Sequence, residues 1–333
     1  MRERIDGKMH GQDGRGTRTA RMVVAQILGE GVKKAMEIPP SISGWDDIVS
    51  VVITGARGML GRELAGALQR SSWGQSRRQA IHACDLDEMD ITNPSEVEKQ
   101  ISAWRPQLVI NCAAQTDVDG CESNRARAFG VNADGPLNLA RVCRRYRSKL
   151  IHISTDFVFD GRGHGPYRPD DETGPLNVYG ESKLAGERAV QQNLDEHLIV
   201  RTAWLFGSGG KNFVSTIRQL AQERDQLEVV KDQVGSPTYT ADLSEAIIHL
   251  VQAGAEGIYH FANAGNCSWY EFAREIVRQC GYPTKVKPIG SAKLKRAARR
   301  PAWSVLDVSR YKKATGQPVR SWQQALADYL SKI

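Results

Sequence analysis

Two residues that could move a proton lie four positions apart in the stretch NVYGESKLAG, residues 177–186. On a helix, this spacing places the Tyr179 phenol and the Lys183 ammonium on the same face. Such a pair could transfer a proton to a bound molecule, or it could be two solvated neighbours. The pair alone does not decide between these interpretations.

A hydroxyl group precedes the pair in STDFVFDG, residues 154–161. Thr155 comes at the carboxyl end of a predicted strand, which is where open α/β sheets bind their ligands. The order Thr155, Tyr179, Lys183 therefore predicts a catalytic set that protonates a carbonyl oxygen. A protonated Lys183 would favour the phenolate and lower the pKa of Tyr179 from its usual ~10, and Thr155 would align the reacting oxygen.

A glycine-rich loop indicates what accompanies this proton transfer. TGARGMLG, residues 54–61, directly follows a predicted strand and begins a predicted helix. There Gly55 permits a tight turn, Gly58 lets a pyrophosphate approach the backbone, and Gly61 allows close packing of helix and strand. The spacing is GxxGxxG rather than GxGxxG. With Tyr179, it predicts a dinucleotide-binding enzyme in which a nicotinamide supplies hydride.

The type of nicotinamide cofactor stays open between NADH and NADPH. Asp85 ends the second predicted strand, where a carboxylate can bind the ribose hydroxyls of NADH. Arg57 in the glycine loop, or Arg77 or Arg78 before that strand, could instead pair with the 2′-phosphate of NADPH.

The elements that must position these residues follow an alternating pattern of short apolar runs and helical runs. Alternation of this kind predicts an α/β fold with a Rossmann-like, doubly wound parallel sheet. The predicted strands cover residues 48–54, 80–85, 107–113, 149–155 and 197–207. The third of these ends in small residues, among them Ala113 and Ala114, where a cofactor must pass close to the backbone.

The alternation also divides the chain. Residues 1–48 form a polar, glycine-rich lead that we predict to be disordered or to contain one helix. Residues 49–205 are the predicted cofactor-binding domain, to which a segment at about 229–262 returns. Residues 206–228 and 263–333 form a predicted smaller α/β lobe that binds substrate.

Composition narrows the classes of partner. The 333 residues carry a net charge of +7, which suits an anionic nucleotide or sugar nucleotide, and no nucleic-acid-binding motif accompanies the basic runs. Six scattered cysteines without a CxxC pair or Cys/His ligand spacing suggest a reducing cytoplasm and no metal site. No apolar run is long enough for a membrane span.

With these motifs in view, the chain resembles the extended short-chain dehydrogenase/reductase superfamily and, within it, the dTDP-4-dehydrorhamnose reductase family. The resemblance runs from about residue 50 to the carboxyl terminus. It rests on these stretches in this order: TGARGMLGREL, NCAAQTDVDGCE, STDFVFDG, PLNVYGESKLAGE, RTAWLFG, KNFVSTI, DQVGSPTYTADL and RRPAWSVLD.

The resemblance implies reduction of the 4-keto group of dTDP-4-dehydro-6-deoxy-L-mannose to dTDP-L-rhamnose by NADPH or NADH, a step in cell-wall polysaccharide synthesis. It carries catalytic roles to Thr155, Tyr179 and Lys183. It also implies substrate contacts for Asp156, for Trp204 in the sugar pocket and for Arg300 at the diphosphate. The further expected cofactor contacts are Met59, Leu60, Asp90, Ile91, Thr116 and Asn132.

Several alternatives remain at this point. Asp90 and Ile91 could be a helix cap and a core residue, Trp204 a core residue, and Arg300 a solvated base. Phe157 follows Asp156 where the related 4,6-dehydratases have a glutamate, which argues against dehydration. The chain also resembles the non-catalytic regulatory β subunit of methionine adenosyltransferase, and another dTDP-sugar 4-ketoreductase is a third candidate. Either a monomer or a homodimer is compatible with the sequence.

Overall fold

The structure, a computed structural model, describes residues 48–71 and 80–333. The predicted lead therefore lies outside the described residues except for its last residue, Ile48. Arg77 and Arg78 also lie outside them.

Six parallel strands form the central sheet, as the alternating pattern predicted. In the order in which they lie side by side they are β2 (Ala80–Cys84), β1 (Ser50–Thr54), β3 (Leu108–Asn111), β4 (Lys149–Thr155), β5 (His197–Thr202) and β10 (Gly257–His260). The chain places β2 on one side of β1 and β3 on the other, so the winding direction reverses between β1 and β3. Ligands of open α/β sheets bind at such a reversal, beyond the carboxyl ends of the strands.

Helices connect these strands and continue through the rest of the chain. They are α1 (Met59–Arg70), α2 (Pro94–Trp104), α3 (Val118–Ser123), α4 (Arg125–Phe129), α5 (Gly135–Tyr146), α6 (Val178–Asn193), α7 (Phe213–Glu223), α8 (Thr240–Gln252), α9 (Trp269–Gln279), α10 (Ser309–Thr315) and α11 (Trp322–Leu330). A π-helical turn, Gly130–Asp134, joins α4 to α5. Side-chain caps begin several helices: Asn93 caps α2 and Asn177 caps α6, while Ser268 and Glu271 form a capping box on α9.

Helices cover both faces of the sheet and bury its apolar side chains. On one face, α1 and α8 pack on residues such as Val51 and Ile53. On the other, α2, α5 and α6 pack on residues such as Val52 and Val109. Because successive strand residues point to opposite faces, a strand covered on both sides reads as a continuous apolar run. This is why VVI in β1 was recognisable from the sequence.

A separate apolar cluster lies among the elements of the carboxyl-terminal part. It contains Phe206, Ile217, Phe272 and Leu326, contributed by different segments. Four short strands and two longer ones accompany it: β6 (Leu205–Phe206) pairs with β9 (Thr238–Tyr239), β8 (Val234–Gly235) with β11 (Cys267–Ser268), and β7 (Gln226–Val230) with β12 (Lys285–Ile289).

The predicted strand over 197–207 is wrong in its second half. β5 ends at Thr202, and Trp204 adopts a left-handed backbone conformation with φ of 48°, after which the short strand β6 begins. A bulky residue rarely adopts positive φ, because its side chain crowds the backbone. The turn directs the chain away from the sheet, and the run of apolar residues alone gave no sign of it.

Within the described ranges, no helix is long and apolar enough to cross a membrane. The same ranges contain no group of three or more His, Cys, Asp or Glu residues that could hold a metal ion. All six cysteines are free thiols.

Candidate active site

A cavity of about 770 Å³ lies where the winding of the sheet reverses. It is lined by Thr54 at the carboxyl end of β1, by Ala113 just after β3, by the glycine loop and by the start of α6. Trp204 and Trp269 also line it. A cavity of this size and position suits a dinucleotide together with a second ligand.

The glycine loop has the shape that a pyrophosphate requires. Gly55 has φ of +65°, and a Cβ atom there would lie 2.6 Å from the backbone nitrogen of Ala113. A Cβ at Gly61 would lie 2.3 Å from the carbonyl oxygen of Gly55. Gly58 precedes α1, and no side chain caps this helix, so its first backbone N–H groups are available to an anion. These features fit a nicotinamide dinucleotide.

The close contact at Gly61 makes a testable prediction. Gly61→Ala should lower the free energy of unfolding by about 2 kcal/mol, the usual cost of forcing an extra methyl group into a packed site. It should also weaken the binding of NADH and NADPH alike, because α1 must move away from β1. Thermal unfolding and isothermal titration calorimetry measure the two effects. Gly130→Ala is the matched control, since a Cβ at Gly130 meets nothing within 4 Å; equal losses in both variants would contradict the prediction.

The two residues expected to choose between NADH and NADPH lie together at the edge of the cavity. The Asp85 carboxylate accepts hydrogen bonds from the backbone N–H groups of Arg57 and Leu86, each at 2.9 Å. The Arg57 guanidinium pairs with Asp87 at 2.6 Å and with Glu88 at 2.5 Å. Asp85 therefore supports the glycine loop as well as facing the cavity, and Arg57 would have to leave these carboxylates to reach a 2′-phosphate.

Most of the other residues expected to contact the cofactor line the same cavity but differ in their further contacts. Met59, Leu60, Ala114 and Thr116 line the cavity, as do Asp90 and Ile91. The Asp90 carboxylate accepts from both the backbone N–H and the hydroxyl of Thr92, at 2.9 and 2.8 Å, and does not cap α2. Ile91 is buried in the core beside α2 and α5 while also lining the cavity, so the two interpretations of Ile91 coexist.

Asn132 lies behind the cavity wall. Its side-chain oxygen accepts from the backbone N–H of Gln115 at 2.8 Å, and its amide nitrogen donates to the carbonyl of Gln115 and to Ser182 Oγ. Through these bonds Asn132 ties the segment after β3 to helix α6, which carries Tyr179 and Lys183.

The three predicted catalytic residues all line the cavity. Thr155 ends β4, and Tyr179 and Lys183 lie on the first two turns of α6, whose start is fixed when Asn177 accepts the backbone N–H of Gly180 at 2.8 Å. Phe157 packs edge-to-face against the Tyr179 ring, with ring centroids 5.5 Å apart. The structure therefore brings to one cavity the three residues that the sequence order grouped together.

The prediction that Lys183 lowers the pKa of Tyr179 is wrong in this structure. Burial of the phenol raises the pKa of Tyr179 above its usual value, and a hydrogen bond with the Thr155 hydroxyl offsets this only in part. Lys183 Nζ instead donates to the Ile153 carbonyl oxygen at 2.6 Å. Lys183 is 2% exposed, and burial lowers its own pKa to about 8.

Asp156 is a buried acid with an unfulfilled hydrogen-bonding capacity. Its Oδ1 accepts from the Thr155 hydroxyl at 3.0 Å, whereas its Oδ2 has no partner. Burial raises the pKa of Asp156 to about 6. Hydrogen bonding with the Ser304 and Thr155 hydroxyls offsets part of this rise in pKa, and Asp156 lines the cavity.

A comparison with known proteins agrees with this geometry. Residues 49–333 match the family model described as the RmlD substrate binding domain. The chain is 45% identical over 288 residues to the dTDP-4-dehydrorhamnose reductase of Mycobacterium tuberculosis (strain H37Rv), covering 84% of this chain and 92% of that one. The chain belongs to the dTDP-4-dehydrorhamnose reductase family.

Two further relatives bear on the cofactor and on the sugar. The crystal structure of a dTDP-4-dehydrorhamnose reductase from Bacillus anthracis in complex with NADP is 37% identical, with a TM-score of 0.82, and covers 86% of this chain and 100% of that chain. A dTDP-4-keto-6-deoxy-D-glucose reductase of Streptomyces niveus is 39% identical over 277 residues, covering 83% of this chain and 94% of that one. The family therefore contains reductases named for different dTDP-sugars.

Arg300, which the resemblance placed at the substrate diphosphate, is held by a carboxylate. Its guanidinium donates to both oxygens of Asp119, at 3.0 and 2.8 Å, and Asp119 also accepts from Arg296 and from the backbone N–H of Ala298. These bonds keep the pKa of Asp119 well below its usual range. Arg300 is thus fixed near α3, and it does not line the cavity.

Trp269, the first residue of α9, is a lining residue of the cavity that was not predicted from the sequence. Its indole stacks on that of Trp204, with ring centroids 3.4 Å apart and planes inclined by 5°. Gly235 makes room for the pair, because a Cβ there would lie 2.5 Å from the Trp204 ring. Trp269 is 65 positions from Trp204 and begins an ordinary amphipathic helix, so no local pattern pointed to it.

Proposed function

We propose that this protein reduces the 4-keto group of a dTDP-6-deoxy-4-ketohexose, namely dTDP-4-dehydro-L-rhamnose, to give dTDP-L-rhamnose. The observation that carries the proposal is the convergence of Thr155, Tyr179 and Lys183 on one cavity that the stacked indoles of Trp204 and Trp269 also line. A sugar ring can pack its C–H face against an aromatic surface of this kind, and its carbonyl oxygen would meet the Tyr179 phenol.

Bound NADPH or NADH would supply the hydride. Gly55, Gly58 and the start of α1 would hold its pyrophosphate, and Asp85 or Arg57 its adenosine ribose. The raised pKa of Tyr179 keeps its phenol protonated, so Tyr179 can donate the hydroxyl proton to the sugar oxygen. Thr155 would hold that oxygen in line, and a protonated Lys183 would stabilise the phenolate that Tyr179 becomes.

We infer that the substrate lobe comprises α7, α9, α11, β7 and β12, which pack around the second apolar cluster. Trp269 would bring this lobe to the sugar, and Arg300 would contribute to the diphosphate site from its position on Asp119. Helix α8 and strand β10 would belong to the cofactor domain, because α8 packs on α1 and β10 pairs with β5. The six free thiols support a reducing compartment such as the cytoplasm.

The test is oxidation of NADPH and of NADH in the presence of dTDP-4-dehydro-L-rhamnose, made from dTDP-glucose by the preceding dehydratase and epimerase. Rapid oxidation that requires the epimerase would support the proposal and rank the cofactors. Oxidation without the epimerase would assign the protein to another dTDP-sugar, as the Streptomyces niveus relative is named. Cofactor binding without oxidation by either sugar would favour a regulatory subunit.

The geometry at Asp85 predicts which residue selects the cofactor. Asp85→Ala should weaken the binding of NADH by roughly 10-fold and the binding of NADPH by less, because only NADH offers a 2′-hydroxyl to the carboxylate. Dissociation constants from calorimetry measure both. Asp87→Ala is the matched control, since it removes one of the two carboxylates paired with Arg57 and leaves Asp85 in place. Equal losses for both cofactors in the Asp85 variant would mean that Asp85 acts only by supporting the backbone of Arg57.

A further inference from the structure

Lys183 lies at the end of a buried line of polar side chains that crosses three neighbouring strands. Thr54 in β1, Asn111 in β3 and His152 in β4 occupy matching positions in the sheet, and each is at most 1% exposed. Thr54 Oγ1 lies 2.7 Å from Asn111 Oδ1, Asn111 Nδ2 lies 3.1 Å from His152 Nδ1, and His152 Nε2 lies 3.4 Å from Lys183 Nζ.

The orientation of the Asn111 amide is fixed by the backbone. The N–H of Ala113 donates to Asn111 Oδ1 at 3.1 Å, and a backbone N–H can only donate. The other end of the amide, Nδ2, must therefore be the group that faces His152. Because Nδ2 is a donor, His152 Nδ1 has to be the acceptor, and the proton of a neutral imidazole must be on Nε2.

This tautomer aims an N–H group at Lys183. A neutral Lys183 amine can accept that N–H and still donate to the Ile153 carbonyl, so every group in the line is satisfied. A Lys183 ammonium has no lone pair and would face the imidazole N–H donor to donor. Moving the imidazole proton to Nδ1 would only shift the donor–donor contact to Asn111. The line therefore has one donor too many whenever Lys183 is protonated.

Protonation of the His152 imidazole would not remove this donor–donor contact. Burial lowers the pKa of His152 well below its usual value, and Lys183 lowers it further. Of the charged groups around Lys183, Glu187 lies one turn later on α6 and favours the ammonium, but Arg201 of β5 holds Glu187 in an ion pair. Burial raises the pKa of the Cys112 thiol to about 12, so this thiol is neutral at the pH where Lys183 titrates.

We propose that His152 is a positioning residue that presents an Nε2–H donor to Lys183 and thereby limits protonation of the Lys183 amine. The proposal rests on the proposed function only for its consequence in turnover. If an ammonium at Lys183 stabilises the Tyr179 phenolate, turnover falls as pH rises through the pKa of Lys183. His152 then sets the alkaline limit of activity without contacting the substrate.

The tautomer can be observed directly in the whole protein. Long-range ¹H–¹⁵N correlation spectra of ¹⁵N-histidine-labelled protein distinguish Nε2–H from Nδ1–H, and the loss of one set of signals in a His152 variant assigns them. We expect a neutral Nε2–H imidazole that does not change between about pH 5 and pH 9. An Nδ1–H tautomer, or protonation within this range, would overturn the proposal.

Two substitutions distinguish the effect of losing the Nε2–H donor from the effect of replacing the imidazole. His152→Asn places an amide oxygen near the position of Nδ1, which keeps the acceptor for Asn111 and removes the donor toward Lys183. His152→Gln can place an amide N–H near the position of Nε2 and keep that donor. His249→Asn is the control, because the Nδ1 of His249 lies 3.2 Å from Tyr311 Oη and outside the cavity.

The readout is the titration of Lys183, followed by ¹³C NMR in protein labelled at lysine Cε and assigned by its loss in Lys183→Arg. We expect His152→Asn to raise the pH of this titration by about one unit, a tenfold change in the proton affinity, and His152→Gln and His249→Asn to leave it in place. In His152→Asn, the pH at which turnover falls on the alkaline side should rise by the same amount. An unchanged titration in His152→Asn would overturn the proposal. These spectra need no turnover, so they remain decisive if the proposed reaction is not observed.

Discussion

Replacing Tyr179 with phenylalanine is expected to lower turnover by at least ~100-fold while leaving cofactor binding nearly intact. The substitution removes one oxygen from a ring that keeps its edge-to-face contact with Phe157. It deletes the only phenol among the described residues that line the cavity. Since burial keeps that phenol protonated, it is the group suited to give a proton to the sugar oxygen.

The measurement is kcat and KM for NADPH oxidation, together with the dissociation constant of NADPH. Tyr167→Phe is a matched control, because the Tyr167 hydroxyl is also partly buried and bonded, donating to Asp160 at 2.8 Å, but lies outside the cavity. Tyr167→Phe should lower the free energy of unfolding and leave kcat nearly unchanged. Near-normal turnover in Tyr179→Phe would remove Tyr179 from the role of proton donor.

Replacing Arg201 with methionine is expected to lower the free energy of unfolding by about 3–5 kcal/mol. Arg201 and Glu187 form a bidentate ion pair, with distances of 2.9 and 2.7 Å, and their side chains are only 3% and 1% exposed. Arg201 also donates to the Pro169 carbonyl and lies over the Phe159 ring. Without Arg201, Glu187 is left as a buried carboxylate without its paired guanidinium.

Chemical denaturation measures this loss, and a second substitution tests its cause. The double variant Arg201→Met with Glu187→Met should recover most of the stability, because replacing both partners of a buried pair removes the uncompensated charge. Arg278→Met is the exposed control. It breaks the surface pair with Glu275 and should cost less than about 1 kcal/mol. A double variant as unstable as Arg201→Met alone would show that packing, and not charge, causes the loss.

The sheet could be predicted because its signals are local. VVI in β1 and IHIST in β4 are buried on both faces, and a polar or glycine-rich segment follows each of them directly. The position of Thr155 followed from the rule that ligands bind at the carboxyl ends of parallel strands, and Tyr179 and Lys183 were identified by their four-residue spacing on a helix. Family resemblance then supplied Asp156 and Trp204, both of which line the cavity.

The features that the sequence did not reveal depend on contacts between distant segments. The Trp204–Trp269 stack requires a left-handed turn at Trp204 and a helix that begins 65 residues later. The pKa of Tyr179 depends on how deeply the ring is buried and on where Lys183 Nζ points, and spacing on a helix determines neither. The line from Thr54 to His152 follows from the register of three strands, which single-strand patterns do not specify.

The most direct test of the account follows the hydride itself. The protein is given dTDP-4-dehydro-L-rhamnose and NADPH that carries deuterium at the transferable position of the nicotinamide, and the product is analysed by NMR. If the nicotinamide reduces the 4-keto group, the product is dTDP-L-rhamnose with deuterium at carbon four of the sugar. Deuterium at another carbon, or a product without deuterium, would contradict that reduction.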